Sequence, residues 1–100
     1  MVDNEFSVVE CEELAQKLKV LGHPIRMKIA IGLYDGSCNV KSMWECLGLP
    51  QATVSQHLHV LKSQGIIKGT RSANEIHYAL ADDFIKSIVI LLKKYCLKVK

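Results

Sequence analysis

Apolar positions at helical spacing run through the first part of the chain. Apolar residues recur three or four positions apart along residues 8–21, which predicts an amphipathic helix. A capping box formed by Ser7 and Glu10 predicts that this helix begins near Val8, and Gly22 ends it. The apolar stripe of the first helix consists of Cys11, Leu14, Ala15, Leu18 and Leu21.

Three further helices are predicted before residue 65. Pro24 lies in the first turn of the second helix, which is apolar almost all round until residues 35–37 end it, as is typical of a central, buried helix. A short third helix follows at about 41–47. A tight turn at 48–50 separates it from a fourth helix at about 51–64, so that the two form a helix-turn-helix.

The period of the pattern then changes from helix to strand. Residues 66–70 and 75–80 predict two strands around a polar tip at 71–74, and Asp82 precedes a last helix. The apolar stripe of that helix is wide and contains Phe84, Ile85, Ile88, Val89, Leu91, Leu92, Tyr95 and Cys96. The predicted fold is a single domain over 1–100, mainly α with a small β-hairpin, in the order α-α-α-α-β-β-α.

Composition narrows the class of protein. With 49% apolar residues in 100 positions the chain can bury a core, although so small a domain would gain stability from dimerisation. The sequence contains no run of about 18 apolar residues, the length that would predict a membrane span. The acidic N-terminal stretch lacks the basic and apolar regions of a secretory signal, so we expect a cytoplasmic protein.

Charge is distributed unevenly along the chain. The net charge is +3, with 13 basic and 10 acidic residues, but five of the acidic residues precede Lys17. From Lys17 onward the remaining 13 basic and 5 acidic residues give a net charge of +8. A solvated surface would explain this excess, and so would an anionic partner such as nucleic acid.

The fourth helix carries uncharged polar side chains where a solvated face usually carries lysine and glutamate. Amide and hydroxyl groups hydrogen-bond to base edges, and Gln56 can offer a donor and an acceptor to adenine. Lysine and arginine on this helix and on the hairpin would attract phosphates of any sequence. His57 lies nearer the apolar stripe, which favours a structural role. The candidate DNA-binding residues are Gln51, Thr53, Ser55, Gln56, His59, Lys62, Lys68 and Arg71.

Three segments resemble the ArsR/SmtB family of dimeric winged helix-turn-helix transcriptional repressors. They are "LGHPIRMKIAIGL" at 21–33, "VKSMWECLGLPQATVSQHLHVLKSQGIIK" at 40–68 and "IHYAL" at 76–80. The resemblance implies that the hairpin is a wing and that the first and last helices form a homodimer interface. It also implies that the dimer binds an inverted-repeat operator in double-stranded DNA, with two recognition helices in successive major grooves.

The same resemblance leaves the inducer unknown. The family's cysteine metal motif would fall at 36–43, where Asn39 and Lys41 replace its cysteines, and the last helix lacks the histidine of the other common metal site. We therefore expect no metal site of these types and no cofactor. Cys46, in the helix-turn-helix, is expected to contribute to packing.

The end of the last helix, "LLKKYC" at 91–96, resembles family members that sense reactive sulfur species or oxidants through two cysteines. Their second cysteine would fall at Ile31, so Cys96 would need another partner, either Cys11 or Cys38. Two alternatives stay open: a thiophilic metal or metalloid on Cys11 and Cys96, and a purely structural role for all four thiols.

Two other functions, that of a protein–protein interaction module and that of an enzyme, are alternatives to repression of transcription. A winged helix can also serve as a protein–protein interaction module, although the uncharged outer face of the fourth helix argues against that role here. An enzyme is not expected, because no nucleophile lies beside a histidine by local spacing and no glycine-rich phosphate loop occurs.

Overall fold

The computed structural model describes residues 7–36 and 38–96, and for residues 38, 40 and 96 it describes the backbone. The elements in chain order are α1 (Val8–Leu21), α2 (Pro24–Tyr34), β1 (Cys38–Asn39), α3 (Val40–Leu47), α4 (Gln51–Ser63), β2 (Ile67–Ser72), β3 (Glu75–Leu80) and α5 (Asp83–Cys96). The predicted winged helix-turn-helix is confirmed, with one additional strand. Within these ranges, no helix is long and apolar enough to cross a membrane.

Local hydrogen bonds explain where the helices begin and end. The Ser7 hydroxyl accepts from the Glu10 N–H at 3.1 Å and the Glu10 carboxylate accepts from the Ser7 N–H at 3.0 Å, which confirms the predicted capping box. The C-terminal end of α4 is fixed by a glycine. Gly65 adopts a φ of 71°, in the left-handed region that glycine enters at little cost. The Ile66 N–H then closes on the Leu61 carbonyl at 3.0 Å and fixes the exit from α4.

The sheet has three strands instead of the two that were predicted. β1 pairs antiparallel with β3, which also pairs with β2, so the strand order is β1-β3-β2. A strand of two residues has no periodicity of its own, and the pattern could not reveal it. The hairpin is also longer than predicted: β2 continues to Ser72, and only Ala73 and Asn74 remain as the turn.

The core lies around α2, as its all-round apolar pattern predicted. α2 contacts α1, α4, α5 and β3, while α4 packs on α3 and β2. The largest fully buried side chains come from α4, α5 and the loop after α4, and they are Val54, Leu61, Ile66, Ile85 and Val89. This arrangement holds α4 by one face and leaves its other face outside.

Polar contacts join the ends of the helices to the core. Asp82 caps α5 by accepting from the Ile85 N–H at 2.9 Å, and its second oxygen accepts from Lys17 of α1. Burial alone would raise the pKa of Asp82, but the hydrogen bonds from Lys17 and the Ile85 N–H outweigh it, so that its pKa lies below the ordinary value. Lys93 of α5 in turn binds Asp35, at the end of α2, at 2.6 Å.

Candidate nucleic-acid interface

A three-residue turn sets the angle between α3 and α4. Gly48 ends α3 with a φ of 67°, and its N–H donates to the Trp44 carbonyl at 3.0 Å. Leu49 and Pro50 complete the turn, and proline cannot continue α3 because its ring fixes φ and it has no N–H to donate. α4 therefore begins at Gln51 as a separate helix, in the position of the recognition helix of a helix-turn-helix.

The predicted division of α4 into an apolar and a polar face is confirmed. Val54, Leu58 and Leu61 are buried, with at most 2% of their surface exposed. Among the candidate DNA-binding residues on α4, five are exposed and Thr53 is half-buried at the edge of the outer face. The five are Gln51, Ser55, Gln56, His59 and Lys62.

The outer face of α4 is not used within the protein. Within residues 7–36 and 38–96, the side chains of Gln51, Ser55 and Gln56 make no hydrogen bond to another protein group. No side chain caps the N-terminus of α4, where Pro50 stands at the cap position. The Thr53 and Val54 N–H groups donate to the Pro50 carbonyl, so the N–H groups of Gln51 and Ala52 are the available ones, and a helix N-terminus with free N–H groups attracts phosphate.

The wing places its two candidate basic residues on opposite faces. Lys68 and Arg71 are both exposed on β2, but they are three positions apart and side chains alternate along a strand. Arg71 shares the face of Ile67, which is buried at the base of the wing, whereas Lys68 shares the outer face with Thr70. The two cations therefore do not lie side by side on the wing.

The thiols are spread over three helices and β1. Cys11 is exposed on α1. Cys46 is exposed on α3, so the prediction that it contributes to packing is wrong: it lies one turn from the buried Met43, at the open groove between α2 and α3. The side chains of the other two candidates, Cys38 and Cys96, lie outside the described part of the structure. No group of three or more His, Cys, Asp or Glu residues that could hold a metal ion occurs in the described ranges.

Sequence reasoning missed a contact between two histidines. The rings of His23 and His57 lie with their centroids 4.5 Å apart and their planes tilted by 44°. His23 also caps α2, since its Nδ1 accepts from the Ile25 N–H at 3.1 Å. Burial, followed by the nearby His23 and Arg26, lowers the pKa of His57 below its ordinary value of 6.5. The residues are 34 positions apart, so only the packing of α4 against α2 reveals the pair.

A second exposed surface lies on α1 and α5. Four of the five residues of the predicted α1 stripe are exposed in the single chain, and of the five Leu21 alone is buried. Of the nine large hydrophobic residues exposed in the described ranges, four lie on α1 and three on α5. We call these seven residues the apolar patch: Val8, Val9, Leu14, Leu18, Ile90, Leu91 and Tyr95. Apolar surface concentrated in this way marks an interaction site.

Comparisons with known proteins agree with this geometry. Residues 23–68 match the family described as "Bacterial regulatory protein, arsR family". The transcriptional repressor PagR of Bacillus anthracis is 36% identical over 92 residues, which cover 91% of this chain and 92% of PagR. The repressor SmtB of Mycobacterium tuberculosis is 38% identical over 73 residues, which cover 73% of this chain and 54% of SmtB, so the chain matches about half of that relative.

Solved structures give the same result for the fold. HlyU from Vibrio cholerae superposes with a TM-score of 0.83 at 28% identity, over 86% of this chain and 95% of HlyU. The match extends well beyond the helix-turn-helix, and the identity to PagR covers nearly the whole of both chains. This chain belongs to the ArsR/SmtB family of winged helix-turn-helix transcriptional repressors.

Proposed function

We propose that the protein acts in the cytoplasm as a homodimer that binds an inverted-repeat DNA operator through α4 and the wing. The observation that carries this proposal is the outer face of α4. The side chains of Gln51, Ser55 and Gln56 are exposed and have no hydrogen-bond partner in the described ranges, while the opposite face is anchored in the core. Fixed groups of this chemistry suit base edges in a major groove.

The apolar patch supports the homodimer. Val8 is 73% exposed and Leu91 is 51% exposed, a state that costs free energy in water and that a second copy of the patch would relieve. A two-fold axis through such an interface would present two copies of α4 on one side. In a dimer of this type the two recognition helices enter successive major grooves about 34–36 Å apart.

Selection from a pool of random duplexes tests the DNA-binding role. The purified protein should enrich an inverted repeat whose half-sites are about 10–10.5 base pairs apart, centre to centre. Its affinity for the selected duplex should fall steeply with salt, because phosphate contacts release counterions. A protein–protein interaction module would enrich no sequence, and this result would refute the proposal.

We also propose that oxidation of Cys96 releases the DNA. Cys96 is the last residue of α5, and Cys11 is exposed on α1 within the predicted interface stripe. A dimer built on α1 and α5 would bring the two helices together. An oxidant such as a polysulfide would accept two electrons and two protons from the two thiols, and the disulfide formed would change the angle between the helices.

Mass spectrometry combined with DNA binding tests the thiol switch. After treatment with a polysulfide or diamide, the wild type should contain a crosslink at Cys96 and bind the selected duplex about fivefold or more weakly. Cys96→Ser should bind equally well before and after treatment. Cys46→Ser is the matched control, because it removes an exposed thiol from a helix other than α1 and α5, and it should respond like the wild type.

Two outcomes would replace the disulfide with another explanation. If cadmium or arsenite releases the DNA and the oxidants do not, a thiophilic ligand binds at Cys11 and Cys96. If Cys96→Ser responds as the wild type does, the switch is not at this residue and the thiols are structural.

A further inference from the structure

His57 is a residue of α4 whose ring contacts a second histidine, on another helix. Its ring lies on the core side of α4, 4.5 Å from the ring of His23, and away from the exposed row that contains Gln56. The contact joins the middle of α4 to the N-terminus of α2. α2 is the central helix, so the pair connects the recognition helix to the core.

The hydrogen bond at His23 fixes the protonation state that this arrangement needs. Nδ1 can accept from the Ile25 N–H, at 3.1 Å, only while it carries no proton. A protonated His23 would lose this cap. It would also place a positive charge beside the N-terminus of α2, where the helix dipole already has its positive end.

The charges around the pair also favour a neutral His57 ring. Within residues 7–36 and 38–96, neither His23 nor His57 forms an ion pair with a carboxylate. The charged neighbours that act on His57 are His23 and Arg26, and Arg26 is held in place by its Nε, which donates to the Val20 carbonyl at 2.7 Å. A proton on both rings would therefore bring three positive charges together without compensation.

The remaining ionisable residues of α4 and of the elements packed against it do not act on His57 at comparable strength. They are Glu10, Cys11, Glu12, Glu13, Lys17 and Lys19 on α1, Lys28 and Tyr34 on α2, Lys41, Glu45 and Cys46 on α3, His59 and Lys62 on α4, and Lys68 and Arg71 on β2.

We infer that His57 is a positioning residue that holds the recognition helix through His23 while both imidazoles are neutral, and that mild acid loosens this contact. The pKa of His57 is lower in the folded chain than the ordinary value of 6.5, so the unfolded chain binds more protons between the two values. The stability that the neutral pair contributes is thus fully present above pH 6.5. It is lost as the pH falls from 6.5 through the pKa of the folded state.

An NMR titration and thermal unfolding test the contact without DNA. The His57 ring should titrate with a midpoint below 6.5, and the amide signals of α4 should shift with the same midpoint. The melting temperature should fall between pH 7.5 and pH 5.5, and it should fall less in His57→Gln. His23→Asn keeps an N-cap acceptor but has no ring to titrate. The melting temperature of this variant should also fall less, and the titration midpoint of its His57 should be higher than in the wild type.

DNA selectivity tests the consequence for function, and this arm rests on the proposed function. The ratio of Kd for a scrambled duplex to Kd for the selected duplex is measured at pH 7.5 and at pH 5.5, at constant ionic strength. A proton on the protein strengthens the attraction to any DNA alike, and this effect cancels in the ratio of the two Kd values. The ratio therefore reports whether α4 keeps its position against the bases. The ratio should fall about fivefold in the wild type at pH 5.5 and should stay constant in His57→Gln and His23→Asn.

His77→Gln is the matched control, because it removes a half-buried histidine of β3 that lies outside the pair and outside the candidate DNA-binding residues, and it should keep the wild-type fall in the ratio. If His57→Gln loses selectivity at pH 5.5 as the wild type does, or if His57 titrates at 6.5 or above, the inference is wrong. If selection yields no preferred duplex, the proposed function fails, while the titration and the unfolding experiment still decide whether the histidine contact is sensitive to acid.

Discussion

Leu91→Lys is expected to convert the proposed homodimer into monomers and to weaken binding to the selected duplex. Leu91 is 51% exposed in the single chain, so a lysine there leaves the protomer intact. In a two-fold interface the substitution would occur twice and would bury two ammonium groups without partners. A buried charge without a partner costs about 3–5 kcal/mol, so the dissociation constant of the dimer should rise by about 100-fold or more.

The position of this substitution matters because the apolar stripe of α5 serves two purposes. Ile88 lies in the middle of the stripe, but it is half-buried and packs against the core of its own chain. Ile88→Lys would damage the protomer as well as the dimer, and the two effects could not be separated. Leu91 lies on the uncovered part of the stripe and isolates the interface.

Analytical ultracentrifugation over a range of concentrations measures the effect, and the unfolding transition shows whether the protomer is intact. Ile76→Lys is the matched control, because Ile76 is also apolar and exposed but lies on the wing, outside the apolar patch. It should remain dimeric. A Leu91→Lys protein that stays dimeric at low micromolar concentration would place the interface elsewhere.

Gln56→Ala is expected to remove sequence discrimination at one base position of each half-site. Gln56 is exposed on the outer face of α4, and a bidentate contact between glutamine and adenine is worth about 1–3 kcal/mol of discrimination. Affinity for the selected duplex should therefore fall by about 5–150-fold for each half-site, whereas affinity for a scrambled duplex should hardly change. Competition binding with single-base variants of the selected site identifies the position.

Arg71→Ala provides the contrast that separates base contacts from phosphate contacts. Arg71 is exposed on the wing, and loss of one phosphate contact should weaken binding to every duplex alike. The slope of log K against log salt should decrease by about one unit. If Gln56→Ala instead weakens all duplexes equally, Gln56 contacts the backbone and its proposed role is wrong.

The periodicity of the sequence determined the order of the helices and the two strands of the wing. Helix ends were predictable because they depend on groups only a few positions apart, such as Ser7 with Glu10 and the glycine that follows α4. The outer face of α4 was predictable for the same reason, since helical geometry alone places Gln56 opposite Leu58. Burial of Val54, Leu58 and Leu61 and exposure of Gln56 confirm that division.

The tertiary structure decided the features that depend on residues far apart in the chain. Strand β1 exists because β3 offers a free edge to Cys38 and Asn39, and two residues have no pattern of their own. A periodic stripe indicates which residues are apolar but not what covers them, and only packing showed that most of the α1 stripe remains exposed. The contact between His23 and His57 likewise joins two helices whose approach is set by the whole core, because side-chain packing acts between neighbours in space and not in sequence.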